Sequence, residues 1–139
     1  MTNYSTSYVN CLSLLLEGGL IIIKIKRIYQ EPEVNDDFRI LVDRLWPRGL
    51  TKQKAKVDLW QKEIAPSNEL RQWFHHDPAQ WSEFKNRYFK ELESKQDSVK
   101  TIVEKSRNQD ITLLFSAKNE EFNNAVALKE YIEQKRYSG

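Results

Sequence analysis

The chain has 139 residues, with 22 Lys plus Arg against 20 Asp plus Glu and a formal charge of +2. That length is one domain's worth of chain, and the near balance of charge excludes the strongly basic composition that carries non-specific nucleic-acid binding. The single cysteine, Cys11, excludes an internal disulfide and a cysteine-rich zinc site, and it fits a reducing, cytoplasmic setting.

Residues 1–20 read as a poorly ordered extension ahead of a domain over 21–135, with a short tail over 136–139. The apolar stretches 11–16 and 20–23 are shorter than the roughly 20 residues that span a bilayer. They also lack the preceding basic residues and the small-residue cleavage site of a signal peptide. Glu17-Gly18-Gly19 is what a purine-rich ribosome-binding sequence would encode in frame, so the extension is also a candidate non-native leader. Residues 1–22 hold one acid, Glu17, and no base, so the net charge without them is +3.

From residue 21 the pattern is α/β. The β-branched run 21–29 predicts a strand with Lys24 and Lys26 on one side, and Glu31-Pro32 and Asn35-Asp36-Asp37 end it. A second strand follows over 38–42. Residues 56–64 fit either a strand, through the Val57 and Leu59 alternation, or a short helix. Ser67 caps a helix carrying Leu70, Trp73 and Phe74. Asp77 and Pro78 open another, in which Trp81, Phe84, Tyr88 and Leu92 recur at helical spacing and form a core face. Val99, Ile102 and Val103 mark a third helix. The run 111–115, Ile-Thr-Leu-Leu-Phe, is apolar enough to be a central parallel strand buried on both faces. Asn119 is the expected cap of the last helix, whose wide apolar face includes Ala125, Leu128 and Ile132. With four Trp, six Tyr and six Phe, large rings supply much of the core. The fold class expected is a single small three-layer α/β domain with a short, mostly parallel sheet and helices on both faces.

Chemistry is expected where charge is attached directly to strand ends, because the carboxyl ends of parallel strands open onto the crevice where ligands bind. Asp43, Arg44 and Arg48 follow the second strand, and Ser116-Ala117-Lys118-Asn119 follows the third. Arg44, Arg48 and Lys118 would converge on an anionic small molecule, a phosphate ester or a nucleotide. Asp43 would orient the arginines or act as a base, and Trp46 would form a wall. The bland alternative pairs Asp43 with one arginine and leaves Lys118 solvated. Arg44, Arg48, Lys52, Lys54 and Lys56 also form a basic stretch, preceded by an acidic one. A nucleic-acid-binding or protein-interaction module could use that stretch without catalysis, although a solvated face balanced by the acidic loop is the favoured reading of it.

His75 and His76 are the only histidines. No His-Glu-x-x-His or Cys-x-x-Cys pattern accompanies them, so no metal site is assigned. His76 is a candidate acid or base, or else a packed junction residue. Ser116 lacks a Gly-x-Ser-x-Gly elbow. No cofactor and no oligomeric state can be read.

The strings Leu-Val-Asp-Arg-Leu-Trp-Pro-Arg-Gly (41–49), Glu-Ile-Ala-Pro-Ser (63–67), Leu-Arg-x-Trp-Phe-x-His-Asp-Pro (70–78), Trp-x-Glu-Phe-x-x-Arg-Tyr (81–88) and Leu-Leu-Phe-Ser-Ala-Lys (113–118) resemble the YeaO-like branch of the bacterial family called domain of unknown function 488. The likeness spans about residues 23–132, and family members usually begin near 23–27. It implies no established biochemical activity. Its polar signature maps onto Asp43, Arg44, Arg48, Asp58 and Ser67, and further along onto Arg71, His76, Asp77, Lys118 and Asn123. Asn123 is thereby a further candidate, one turn into the last helix and facing the strand ends. Where relatives often read Glu-Glu-His-Asn-His-Ala, this chain reads Glu-Glu-Phe-Asn-Asn-Ala over 120–125. Phe122 and Asn124 stand in the histidine places, which argues against a metal or proton shuttle built on those histidines.

Overall fold

The computed structural model describes residues 22–138, and the expected extension over 1–20 lies outside them. Four strands, β1 (Ile23–Arg27), β2 (Phe38–Leu41), β3 (Leu59–Trp60) and β4 (Ile111–Phe115), form one sheet in the order β1-β4-β2-β3. Every neighbouring pair is parallel. The ambiguous stretch 56–64 resolves into the two-residue edge strand β3 and a 3-10 turn, Lys62–Ile64. β4 is buried at all five positions, as its unbroken apolar sequence requires of a strand covered on both faces.

Among the described residues, five helices cover the sheet unequally. On one face Ile23, Ile40, Ile111, Leu113 and Phe115 meet residues from α2 (Asn68–Phe74), α3 (Trp81–Glu93), α4 (Gln96–Asn108) and α5 (Asn124–Ser138). The other face holds a smaller cluster of Ile28, Leu41, Ala55 and Leu114 under Trp46, Trp60 and the single turn of α1 (Lys52–Ala55). Rings dominate the larger core. Phe74 stacks on Phe84 at 4.3 Å, Trp81 on Phe84 at 5.6 Å, and Tyr88 completes the row at 5.8 Å from Phe84. Such pairs add about 0.5–1.5 kcal/mol each beyond their buried area.

Caps place the helices. The Ser67 hydroxyl accepts from Leu70 N at 3.1 Å, while its own N–H and O–H donate to the Glu91 carboxylate, which ties the start of α2 to α3. Asp77 accepts from Ala79 N, but the turn it opens is a 3-10 turn, Pro78–Gln80, that leads into α3. Asn119 does not cap α5. Its Oδ1 accepts from Glu121 N and Phe122 N in a local turn, and the α5 cap is Asn123, whose Oδ1 accepts from Val126 N at 3.0 Å. Asn119 and Asn123, four residues apart in a polar run, make the cap position ambiguous from sequence, because either side chain can serve. α5 runs on through 136–138, where a tail was expected.

The second sheet face carries a buried ionic cluster instead of solvated lysines. Asp36 and Arg39 are each only 4% exposed and pair at 2.6 Å. Arg39 also donates to Ala55 O and Lys56 O, fastening the end of α1. Lys26 reaches Asp36 at 3.1 Å and Glu33 at 2.8 Å, and Thr112 on β4 donates to Asp36 O. Glu33 and Asp36 of the 31–37 loop thus pair with Lys26 and Arg39, and Asp37 with Lys24 at 3.9 Å, not with the 44–56 stretch. Burial pushes the Asp36 carboxyl up, but the Glu33 N–H and the Lys26 and Arg39 side chains outweigh it and hold it below its ordinary value. A depressed folded-state value means that the contribution is complete above the unfolded carboxylate range near about pH 4. It is lost as pH falls through the folded value.

Arg39→Leu should therefore lower the unfolding free energy at neutral pH by about 3–5 kcal/mol, since it removes the closer of the two cations paired with the buried Asp36 carboxylate and frees the Ala55 and Lys56 carbonyls. The paired Asp36→Leu/Arg39→Leu change should cost less than the single one. Urea unfolding of both variants checks this, and a loss under about 1 kcal/mol for Arg39→Leu would contradict it.

Candidate functional site

The carboxyl ends of β1, β4 and β2 open onto a cavity of about 790 Å³. Its floor is Asp43, two residues past the end of β2. The Asp43 carboxylate accepts from Ser116 N at 2.9 Å, from Ser116 Oγ at 2.7 Å and from Asn124 Nδ2 at 3.1 Å. Its backbone oxygen accepts from Trp60 Nε1 at 2.8 Å. No arginine of the described residues lies within ion-pair distance of Asp43; two neutral side chains hold it instead.

Five permanent cations line the cavity: Arg27, Arg44, Arg48, Arg71 and Lys118. Arg27, the last residue of β1, donates through Nε to Ser116 O and Ala117 O, and its guanidinium lies 4.9 Å over the Tyr29 ring. Arg44 donates through Nη2 to Ala65 O at 3.3 Å, and its buried Nε has no partner. The same Ala65 carbonyl accepts from Lys95 Nζ at 2.9 Å. Burial lowers Lys95 from its ordinary value, Glu91 opposes that, and the Arg44 charge adds to the lowering. Arg48 is exposed, but Tyr29 Oη donates to its backbone oxygen and fixes the loop that carries it. Gly49 follows at φ +78°, a left-handed conformation that a side chain would strain.

Aromatic walls complete the cavity. Trp46 donates to Leu50 O and meets Trp60 edge-on at 5.5 Å, so one side packs on the small core while the other borders the cavity. Phe74 and Phe84 line the opposite side. Beyond them Tyr88 donates to Ile64 O at 2.7 Å. Burial drives its hydroxyl well above the ordinary value, and the Glu91 and Asp43 charges reinforce this, so it stays a neutral donor. His76 also borders the cavity. Its Nδ1 lies 3.1 Å from Phe122 O, which can only accept, so Nδ1 carries the proton and Nε2 is the nitrogen left for another partner. Both His75 and His76 have positive φ, of 49° and 55°. At non-glycine positions this costs about 1–2 kcal/mol each.

The structure thus gathers Asp43, Arg44, Trp46, Arg48, His76 and Lys118 around one cavity. Asn123 is not among them. It is fully buried, its Nδ2 donates to Asn119 O, and its neighbour Asn124 faces the floor, donating to Val42 O as well as to Asp43. The cap geometry explains the exchange: with Asn123 turned back to cap α5, the next side chain points to the strand ends. Sequence reasoning also missed Arg27, although it ends β1 just as Arg44 follows β2. Arg71 entered only through the family signature. In the basic stretch, Lys52 lies outside this cavity, while Lys54 and Lys56 border a separate depression of about 390 Å³. Among the described residues no three His, Cys, Asp or Glu side chains are grouped to hold a metal, and no helix is long and apolar enough to cross a membrane.

Comparison with known proteins follows the same residues. The family described as the inactive DUF488-N3 subclade matches residues 22–138. The uncharacterized protein YeaO of Escherichia coli (strain K12) is 42% identical over 110 residues, covering 79% of this chain and 96% of that protein. Uncharacterized proteins of Mycobacterium bovis and Mycobacterium tuberculosis are 44% identical over 70 residues, 50% of this chain and 59% of theirs. No solved structure matches the chain significantly.

The exchange of roles between adjacent asparagines is testable. Asn123→Ala should lower unfolding free energy by about 1 kcal/mol, as loss of a helix cap does, and leave anion binding within twofold. Asn124→Ala should weaken anion binding, because Asp43 loses a fixed donor. Thermal unfolding and calorimetric titration with phosphate esters separate the two, and equal binding defects would refute the assignment.

Proposed function

The chain belongs to the DUF488 family, within its inactive DUF488-N3 subclade, and on that premise we propose that it is a non-catalytic binding domain for a phosphate-bearing small molecule. One observation carries the reading: five permanent cations and a single carboxylate line one cavity at the strand ends. Leaving such charges uncompensated is unfavourable, and guanidinium forks match phosphate oxygens bidentately. Arg44, Arg48 and Lys118 hold the anion with Arg27 and Arg71. Asp43 positions the floor, His76 offers Nε2 as a further contact, and Trp46 and Tyr29 supply apolar walls for the rest of the ligand.

Binding without turnover is supported by the chemistry at hand. Ser116 spends its hydroxyl on Asp43, and both Asp43 oxygens already hold fixed donors. At the two places where relatives often carry histidines, Phe122 packs edge-on against Trp81 at 5.4 Å and Asn124 braces the floor. Neither offers a proton shuttle. The polyanion reading would use a different surface, since Lys52, Lys54 and Lys56 are exposed and lie outside this cavity.

Thermal unfolding in the presence of nucleotides, sugar phosphates and RNA tests the reading, run beside Arg48→Ala, an exposed change that spares the core. A ligand at ten times its Kd adds about 1.4 kcal/mol, a rise of roughly 4–6 °C for a domain of this size. We expect that rise with a phosphate ester, its loss in Arg48→Ala, and no phosphate release. No stabilisation by any anion at millimolar concentration, or a shift with RNA alone, would overturn it.

A further inference from the structure

Resting on the anion-binding reading above, the distribution of cations defines the ligand more closely. The sheet order puts β4 between β1 and β2. With strands spaced by about 4.8 Å, residues at the ends of β1 and β2 start roughly 10 Å apart. The cations divide along this line. On the β1 side stands Arg27, with Arg48 brought over by the bond from Tyr29 Oη to its backbone oxygen. On the β2 side stand Arg44, anchored on Ala65 O, and Arg71 of α2, with the His76 ring at the end of that helix. Lys118 follows β4, and the Asp43–Ser116–Asn124 floor lies between the rows.

Both rows are prepared in advance. Arg27 uses only Nε on Ser116 O and Ala117 O, and its plane is set against the Tyr29 ring, so both terminal nitrogens remain for a ligand. Arg44 uses only Nη2, and Arg71 only Nη2, on Asn68 Oδ1 at 3.1 Å. Charge decides how many anions fit. Five permanent cations against one carboxylate leave four positive charges facing the cavity. One phosphate monoester carries about −1.5 to −2 at neutral pH and leaves half of them uncompensated, whereas two balance them.

We propose that the cavity has two phosphate subsites, one on each side of β4, and takes a small molecule with two phosphate groups on one scaffold, of which a nucleoside bisphosphate is the type. Trp46 and Pro47, between Arg44 and Arg48 in the chain, also line the cavity and offer an apolar surface to the sugar or base. The two phosphates bind one row each, so a monophosphate satisfies one row only.

Calorimetric titration of the native chain with adenosine 3′,5′-bisphosphate, adenosine monophosphate and adenosine tests this. The second phosphate should tighten binding by at least about tenfold, the scale of one charge-assisted contact set. Arg71→Gln, an exposed change, should bring the bisphosphate to within threefold of the monophosphate. Arg27→Gln should do the same from the other row, and circular dichroism confirms that each variant is folded. Equal affinity for bisphosphate and monophosphate in the native chain would overturn the two-subsite inference while leaving anion binding intact. Absence of binding by both would overturn the anion-binding reading and this inference together.

Discussion

Asp43 is the residue on which the rest of the site depends. A carboxylate placed two residues past the end of β2 receives donors from the end of β4 and the start of α5, while its backbone oxygen receives Trp60 from β3. Three separate chain segments are therefore fastened to one residue of a fourth. Hydrogen bonds to an ionised acceptor are about twice as strong as neutral ones, so these contacts fix the floor more firmly than an equivalent set of amides would. Because neutral groups meet the carboxylate, the arginines nearby keep their positive charge for something else.

The α1 face of the sheet and the carboxyl ends of its strands handle charge in opposite ways, and that contrast frames the function. On the α1 face, Lys26, Asp36 and Arg39 neutralise one another in a nearly dry cluster that fastens the β1–β2 loop to the end of α1. At the carboxyl ends of the strands, cations accumulate with no acidic partner among the described residues, and their polar contacts go to neutral oxygens, the backbone carbonyls Ala65 O, Ser116 O and Ala117 O and, for Arg71, Asn68 Oδ1. Carbonyl contacts orient a guanidinium without cancelling its charge. The near-neutral total charge of the chain thus conceals a locally compensated region beside an uncompensated one.

Much of this was legible in the sequence. The unbroken apolar run of β4 required a central strand, the 81–92 periodicity required the aromatic face of α3, and charge directly after a strand marked Asp43, Arg44 and Lys118. Ser67 announced its cap, even with Asn68 beside it, by standing just ahead of the helical spacing of Leu70, Trp73 and Phe74. The failures have physical causes. Asn119, Asn123 and Asn124 are chemically equivalent, so only the path of the chain into α5 decides which one caps and which faces the floor. Lys24 and Lys26 alternate like solvated strand residues, and sequence spacing gives no sign that Asp36 and Arg39 would bury Lys26 beneath a loop. Arg27 was passed over because its role depends on β4 inserting between β1 and β2, a pairing of residues more than eighty apart in the chain.

The central claim is that the cations at the strand ends form one anion site. It is tested most directly by following backbone and arginine side-chain NMR signals during titration with a nucleoside phosphate. The account predicts saturable shifts concentrated at Arg27, Asp43, Arg44, Ser116 and Lys118, with Lys52, Lys54 and Lys56 unmoved. Shifts centred on the three lysines, or spread evenly over the surface, would contradict it.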